Sequence, residues 1–429
     1  MISRRFVPLS WAALSFGAAA AMIHPALAAS TAAQAGALPV EISWSDVIPL
    51  VERQSPRLRA IRSQVKVAQS EVAVANVLPN PSLDYVGYGR LSHDNQYGTQ
   101  HQIGLETPLW LAGQRSARKH AAEGRVEVVK AQSAADERSL DAAALQAWLM
   151  LLAAQDRFAE LTQAGNDVQS VAQIVHERVR DGAESQYDAA RVDLESAQLA
   201  TRIAQADADV AEASANFAAV LGIAGWHPRA IGALANLAND QNFAALWQKA
   251  QASLPELRAA EREVQVASSE VEVARAERWP VPTVSGGALI TTDAKSTSAY
   301  LGLSFPLPIF DAGGASVGRA RAALEQSRLA LNAAQADARA SLGASVEALS
   351  AKRAVWAQYE QTVKTRLPGL RDMAETAYKS GSTSLLELLD SVRSQIDVQL
   401  EGIDLRHELA AAQLEVMARA GLLNPPSSR

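Results

Sequence analysis

The sequence predicts a membrane α/β fold in which bilayer-crossing strands of a shared β-barrel are continued by very long helical hairpins. Three observations carry this expectation. One unit is written twice, about 200 residues apart. Each copy holds two alternating segments of the length a tilted strand needs to cross a membrane. Each copy then runs for many turns with almost no helix breaker.

Residues 1–29 read as a signal peptide, with Arg4 and Arg5 before an apolar stretch and Ala26-Leu27-Ala28 as an A-x-A cleavage site. Beyond it no window approaches ~18 apolar residues, so a membrane role for the mature chain requires strands. The chain has no cysteine, which removes disulfides, thiolate chemistry and a lipid-modified cysteine anchor. A net charge of −6 gives no basic excess for nucleic-acid phosphates, so nucleic acid is not an expected partner.

The first repeat is assigned to residues 30–222 and the second to 255–421, with an equatorial excursion at 223–254 and a tail at 422–429. Pro56-Arg57-Leu58-Arg59-Ala60 matches Pro255-Glu256-Leu257-Arg258-Ala259, and Ser70-Glu71-Val72 matches Ser269-Glu270-Val271, each displaced by 199 positions. Both stretches read as helix and end at Pro79-Asn80-Pro81 and Pro280-Val281-Pro282, which stop a helix and favour extended chain. Strands are expected at 83–91 and 99–109 around the turn Ser92-His93-Asp94-Asn95-Gln96, and at 283–292 and 299–307 around Asp293-Ala294-Lys295-Ser296-Thr297. Alternation is clearest where Leu301, Leu303, Phe305 and Leu307 interleave with Tyr300, Gly302 and Ser304. Glycine steps at Gly113 and Gly313-Gly314 then open helices at about 115–179 and 315–378, the second interrupted by Pro368-Gly369. The turns Arg180-Asp181-Gly182-Ala183-Glu184-Ser185 and Lys379-Ser380-Gly381-Ser382-Thr383-Ser384 place glycine and serine alike: glycine as a left-handed C-cap, serine as the N-cap of a returning helix. The returning helices run to about 221 and 420, the second with a coiled-coil seam at Leu385, Leu389, Val392, Ile396 and Ile403.

Four membrane-length strands cannot close a barrel, and an open edge in lipid leaves backbone groups unpaired, so the chain must oligomerise. Three copies supply twelve strands; the count alone also permits other multiples.

The segments Leu78-Pro79-Asn80-Pro81-Ser82-Leu83, Gly104-Leu105 through Pro108-Leu109 to Gly113-Gln114-Arg115, Pro280-Val281-Pro282-Thr283 and Pro306-Leu307-Pro308-Ile309-Phe310-Asp311-Ala312-Gly313-Gly314, together with the repeat, cover nearly the whole mature chain. In this pattern the sequence resembles the TolC family of outer-membrane efflux channels, within it the CzcC-like heavy-metal branch. The resemblance implies a homotrimer with a twelve-stranded barrel in the outer-membrane lipids of a Gram-negative bacterium and a helical barrel in the periplasm. It implies a periplasmic adaptor (membrane fusion) protein and an inner-membrane pump of the resistance-nodulation-division (RND) class as partners, with passive export of heavy-metal cations. Drug efflux or type I protein secretion is the alternative cargo. A soluble periplasmic coiled-coil adaptor is the alternative of another class, although no lipoyl-like half-motif is present.

Glu387 and Asp390 lie three apart just past the Gly381 turn, on one helix face. Their spacing resembles the paired acids that ring the periplasmic entrance in that family, where carboxylate rings attract cations; acids in a first helical turn also simply favour the dipole. The matching positions in the first copy are Asp188 and Arg191, and Arg191 or Arg180 is expected to pair with acids of a neighbouring hairpin. Arg180, Gly182 and Ser185 with Gly381 and Ser384 resemble the tips that meet the adaptor. The seven histidines show no i, i+4 pair and no H-E-x-x-H, so no metal site and no cofactor are predicted. No nucleophile, base and acid arrangement is evident, and enzyme activity is not expected.

Overall fold

The computed structural model describes residues 38–89, 99–232, 242–291, 296–366 and 369–423. The signal peptide, the turn at 92–96, Pro368 and the chain after 423 lie outside the described residues.

The chain enters through β1 (Glu41–Ile42), one turn of 3-10 helix and α1 (Val47–Gln54), none of which the repeat pattern announces. α2 (Pro56–Ala75) starts where Ser55 Oγ accepts the Leu58 N–H and Pro56 fills the first helical position, which needs no donor. β2 (Ser82–Tyr88) and β3 (Gln100–Pro108) form the first hairpin, followed by α3 (Gln114–Arg180) and α4 (Gln186–Leu221). In the excursion, β4 (Arg229–Ala230) pairs in parallel with β1, and α5 (Phe243–Ser253) lies where a short helix is expected. The second copy repeats the order: α6 (Pro255–Glu277), β5 (Thr283–Thr291), β6 (Ser296–Ser304), then α7 (Gly314–Tyr359), α8 (Leu370–Lys379) and α9 (Leu385–Arg419). β6 begins at Ser296, three residues before the expected 299, because Ser296 and Thr297 pair with Thr291 and Ile290 rather than forming the turn. Ladder hydrogen bonds outweigh the turn preference of Ser and Thr there.

The four longer strands make one antiparallel sheet in the order β2-β3-β5-β6, so the second hairpin joins the first through β3 and β5. Register separates the faces. Leu83, Leu105, Ile103, Val284, Leu301 and Leu303 share one face; Ser82, Asp84, Gln102, Glu106, Ser285 and Tyr300 share the other. Leu301 is 85% exposed and Leu83 73% in the single chain, an apolar face without a partner of its own.

α3 is a single helix of 67 residues, on the order of 100 Å at ~1.5 Å per residue. Its counterpart α7 stops at Tyr359, passes through a π turn at Glu360–Lys364 and resumes as α8 after Gly369. Proline has no N–H to give the carbonyl four residues back and its ring is incompatible with that carbonyl in an α-helix, so the sequence calls for the helix to fail ahead of position 368. The pivot above the π turn is tied: Tyr359 Oη donates to the Val398 carbonyl at 3.0 Å and lies against Gly402, where an added Cβ would come within 2.2 Å of that oxygen.

Among the described residues, apolar clusters hold the helices. One joins α3, α4, α8 and α9 through Val168, Val175, Val192, Leu388 and Leu389; another joins α5, α6, α7 and α9 through Leu246, Leu257, Leu342 and Val416. The N-terminal segment is fastened by buried indoles, Trp148 Nε1 donating to the Ile42 carbonyl at 2.8 Å and Trp226 Nε1 to the Pro39 carbonyl at 3.0 Å. Buried Trp requires such an acceptor.

Candidate functional site

The two hairpin tips are built alike. In the first, Gly182 adopts φ 77 and the Ala183 and Gly182 N–H groups donate back to the Arg178 and Val179 carbonyls; in the second, Gly381 adopts φ 75 and Ser382 and Gly381 donate to Ala377 and Tyr378. This is the Schellman pattern, and its left-handed residue disfavours any Cβ. Ser185 and Ser384 then cap the returning helices. The Ser185 N–H donates to Asp188 Oδ2 at 3.3 Å and the Asp188 N–H to Ser185 Oγ at 3.1 Å; the same box joins Ser384 and Glu387 at 2.9 and 3.3 Å. Asp188 and Glu387 thus close helix ends with their carboxylates.

Asp390 is exposed one turn further on and shares with Glu387 an open groove of about 480 Å³, faced by Thr362, Val363 and Arg366 beside the break in α7. Arg191 donates to Tyr187 Oη at 3.5 Å within its own helix, and Arg180 lies 3.9 Å from Glu177 of its own helix. Among the described residues neither arginine pairs with the other hairpin of the same chain. That tie belongs to Arg178, which sequence reasoning missed: it donates to the Tyr378 carbonyl at 3.1 Å, lies over the Tyr378 ring and sits 3.4 Å from the Glu184 carboxylate. Tyr378 is buried and its hydroxyl donates to Glu184 Oε1 at 3.1 Å. Burial, then the Glu184 charge, pushes this phenol up to about 12, so it remains a donor throughout the physiological range.

Above the tip the hairpins are joined by ion pairs across α3, α4 and α9. Arg393 forks onto Glu195, Arg202 meets Asp397 at 3.2 Å, Arg157 meets Asp404 at 2.8 Å, and Arg406 and His407 share Asp156. No local signal marks these partners, which are about 200 residues or more apart in sequence. Among the described residues no group of three or more His, Asp or Glu is placed to hold a metal ion.

A family model described as outer membrane efflux protein matches residues 47–223 and again 246–422. The chain belongs to that family. The efflux protein is 28% identical over 373 residues to the cobalt-zinc-cadmium resistance protein CzcC of Cupriavidus metallidurans, covering 85% of this chain and 86% of the relative. It is 28% identical to protein CyaE of Bordetella pertussis, covering 89% and 83%. Among solved structures it is similar in fold to CusC, with a TM-score of 0.74 at 17% identity over 88% of this chain and 92% of the other.

Family and fold together place this efflux protein in the Gram-negative outer membrane, with its helical hairpins extending into the periplasm. The sheet supplies its four strands to the barrel, apolar face outward to lipid and polar face inward to water. The tips with Glu387, Asp390, Asp188 and Arg191 are the parts farthest from that sheet along each helix.

Proposed function

We propose that three copies of this chain form the outer-membrane exit duct of a tripartite efflux system, conducting heavy-metal cations passively while an inner-membrane RND pump supplies the energy. The observation that carries the assembly is the sheet: β2 and β6 each have one strand neighbour within the chain, and edges of this kind in lipid demand closure by other copies. Three copies give twelve strands. The likeness to CzcC supports metal cations as cargo. The tips at Arg180, Gly182, Ser185, Gly381 and Ser384 are the surface we assign to a periplasmic adaptor, because two identically capped turns offer it one repeated shape.

Glu387 and Asp390 form the cation-attracting entrance in this reading. Glu387 also caps its helix, so Asp390 is the freer of the two charges. The Arg178, Glu184 and Tyr378 tie holds the second hairpin against the first and keeps the entrance narrow.

The test is the mass of the detergent-extracted protein followed by planar-bilayer recording of wild type and Glu387→Ala/Asp390→Ala. Trimeric mass with cation-selective steps, weaker in the variant, supports the reading; a water-soluble monomer without conductance sinks it. Cargo is tested separately: a deletion strain should lose tolerance to zinc, cobalt or cadmium salts and regain it with the intact gene. Unchanged tolerance to all three rejects metal cargo.

A further inference from the structure

The sheet carries a charge pattern that the entrance does not explain. Within the described strand residues, Asp84 and Glu106 are the only acidic side chains, and no Lys or Arg occurs in any of the four strands. Both acids lie on the polar face: Ser82 pairs with Glu106 and Asp84 with Gly104, so the two carboxylates occupy successive rows on that face. At ~3.3 Å per residue those rows are ~7 Å apart.

The row of Asp84 continues through Gly104 and Gly287 to Tyr300. An added Cβ at Gly104 would come within 1.9 Å of Tyr300 Oη, so the phenol lies flat across the glycines rather than standing into the lumen. Gly104, paired with Asp84, adds no side chain of its own there; Asp84 is half-buried and accepts a hydrogen bond from Ser82 Oγ at 3.5 Å. Behind both acids stands the apolar face with Leu83, Ile103 and Leu105, a low-dielectric wall that directs their field toward the water side.

We propose that Asp84 and Glu106 are selectivity-determining residues of the barrel, giving the outer-membrane end of the duct its own preference for cations. This rests on the trimeric-channel reading, in which three copies place two stacked carboxylate rings inside the barrel. The carboxylates attract hydrated cations and repel anions without a bound-ion site. Because a wide lumen is screened by salt, the preference is stronger near 0.1 M, where the Debye length is ~10 Å, than near 1 M, where it is ~3 Å.

The experiment is the reversal potential of single channels in a potassium chloride gradient, for wild type, Asp84→Asn/Glu106→Gln and the charge-keeping exchange Asp84→Glu/Glu106→Asp. In the neutral variant the potassium-over-chloride permeability ratio should fall about two-fold or more near 0.1 M, and by less near 1 M. The exchange variant should keep the wild-type ratio. An unchanged ratio in a conducting neutral variant overturns the proposal while leaving the channel intact; a wild type that never conducts overturns the channel reading instead. If the double variant does not form trimers, Asp84→Asn and Glu106→Gln are recorded singly, and an unchanged ratio in both overturns the proposal.

Discussion

Asp141 shows how burial at one position reaches the stability of the protein. It lies in a cleft of about 460 Å³ with Glu52, Glu137 and Arg138, and burial first, then the Glu52 and Glu137 charges, raise its carboxyl from 3.8 to about 7, against the pull of Arg62 and Arg138. The folded chain keeps this proton up to about pH 7, whereas the unfolded chain releases it near the model-peptide value of ~3.9. Between those values the folded state binds more protons, so Asp141 makes stability fall as pH rises and has no further effect above pH ~7. The apparent Tm of Asp141→Asn should therefore vary less between pH 5 and pH 8 than that of wild type. Equal pH slopes for the two would refute this. At the tips, Tyr378→Phe removes one hydrogen bond to Glu184 and leaves the buried ring in place. Net loss of such a bond to a charged group is ~1.5–3 kcal/mol. The expected result is a larger open probability at unchanged unit conductance in bilayer recordings; an open probability equal to wild type would remove the tie from the gate.

The elements differ in how far local sequence signals announce them. The long helices, the glycine-serine turns and the strand pairs were legible because each rests on local chemistry: breakers, caps and period-two alternation. α1 and the β1–β4 pair were not, since two-residue strands have no period to read and are held by distant donors such as Trp148. The break in α7 was visible as Pro368-Gly369, yet the π turn upstream and its anchor at Gly402 depend on α9 lying alongside. Gly402→Ala should cost about 1–3 kcal/mol, the usual penalty of overpacking, because Tyr359 must leave its acceptor at Val398. Thermal denaturation compared with Tyr359→Phe/Gly402→Ala measures it; equal stability of Gly402→Ala and wild type would show that the close fit is relaxed at no cost. In the sheet, a Cβ at Gly287 would stand 2.0 Å from the Ile103 carbonyl, a backbone atom that cannot step aside. Gly287→Val should abolish insertion of trimers into the outer membrane, read by heat-modifiable migration of the membrane fraction; normal trimer yield would contradict the register.

At the scale of the whole molecule, two copies of one unit share a sheet and a helical body, and the repeat is what sequence alone determined most firmly. A displacement of 199 positions fixes order, turn chemistry and strand count, because these follow from residues close together in the chain. The same locality explains the paired acids: Glu387 and Asp390 were legible as a spacing of three just past a turn, which puts them on one helix face, and that face is exposed. Tertiary structure decided the rest. That Arg178 spans the two hairpins of the chain, and that Asp84 and Glu106 share the polar face, depend on which segments meet. Arg178 and Tyr378 stand 200 positions apart, and nothing in either neighbourhood names the partner. A helix or strand records its own propensity in sequence; which face it turns to a distant element is settled only by the packing that buries it.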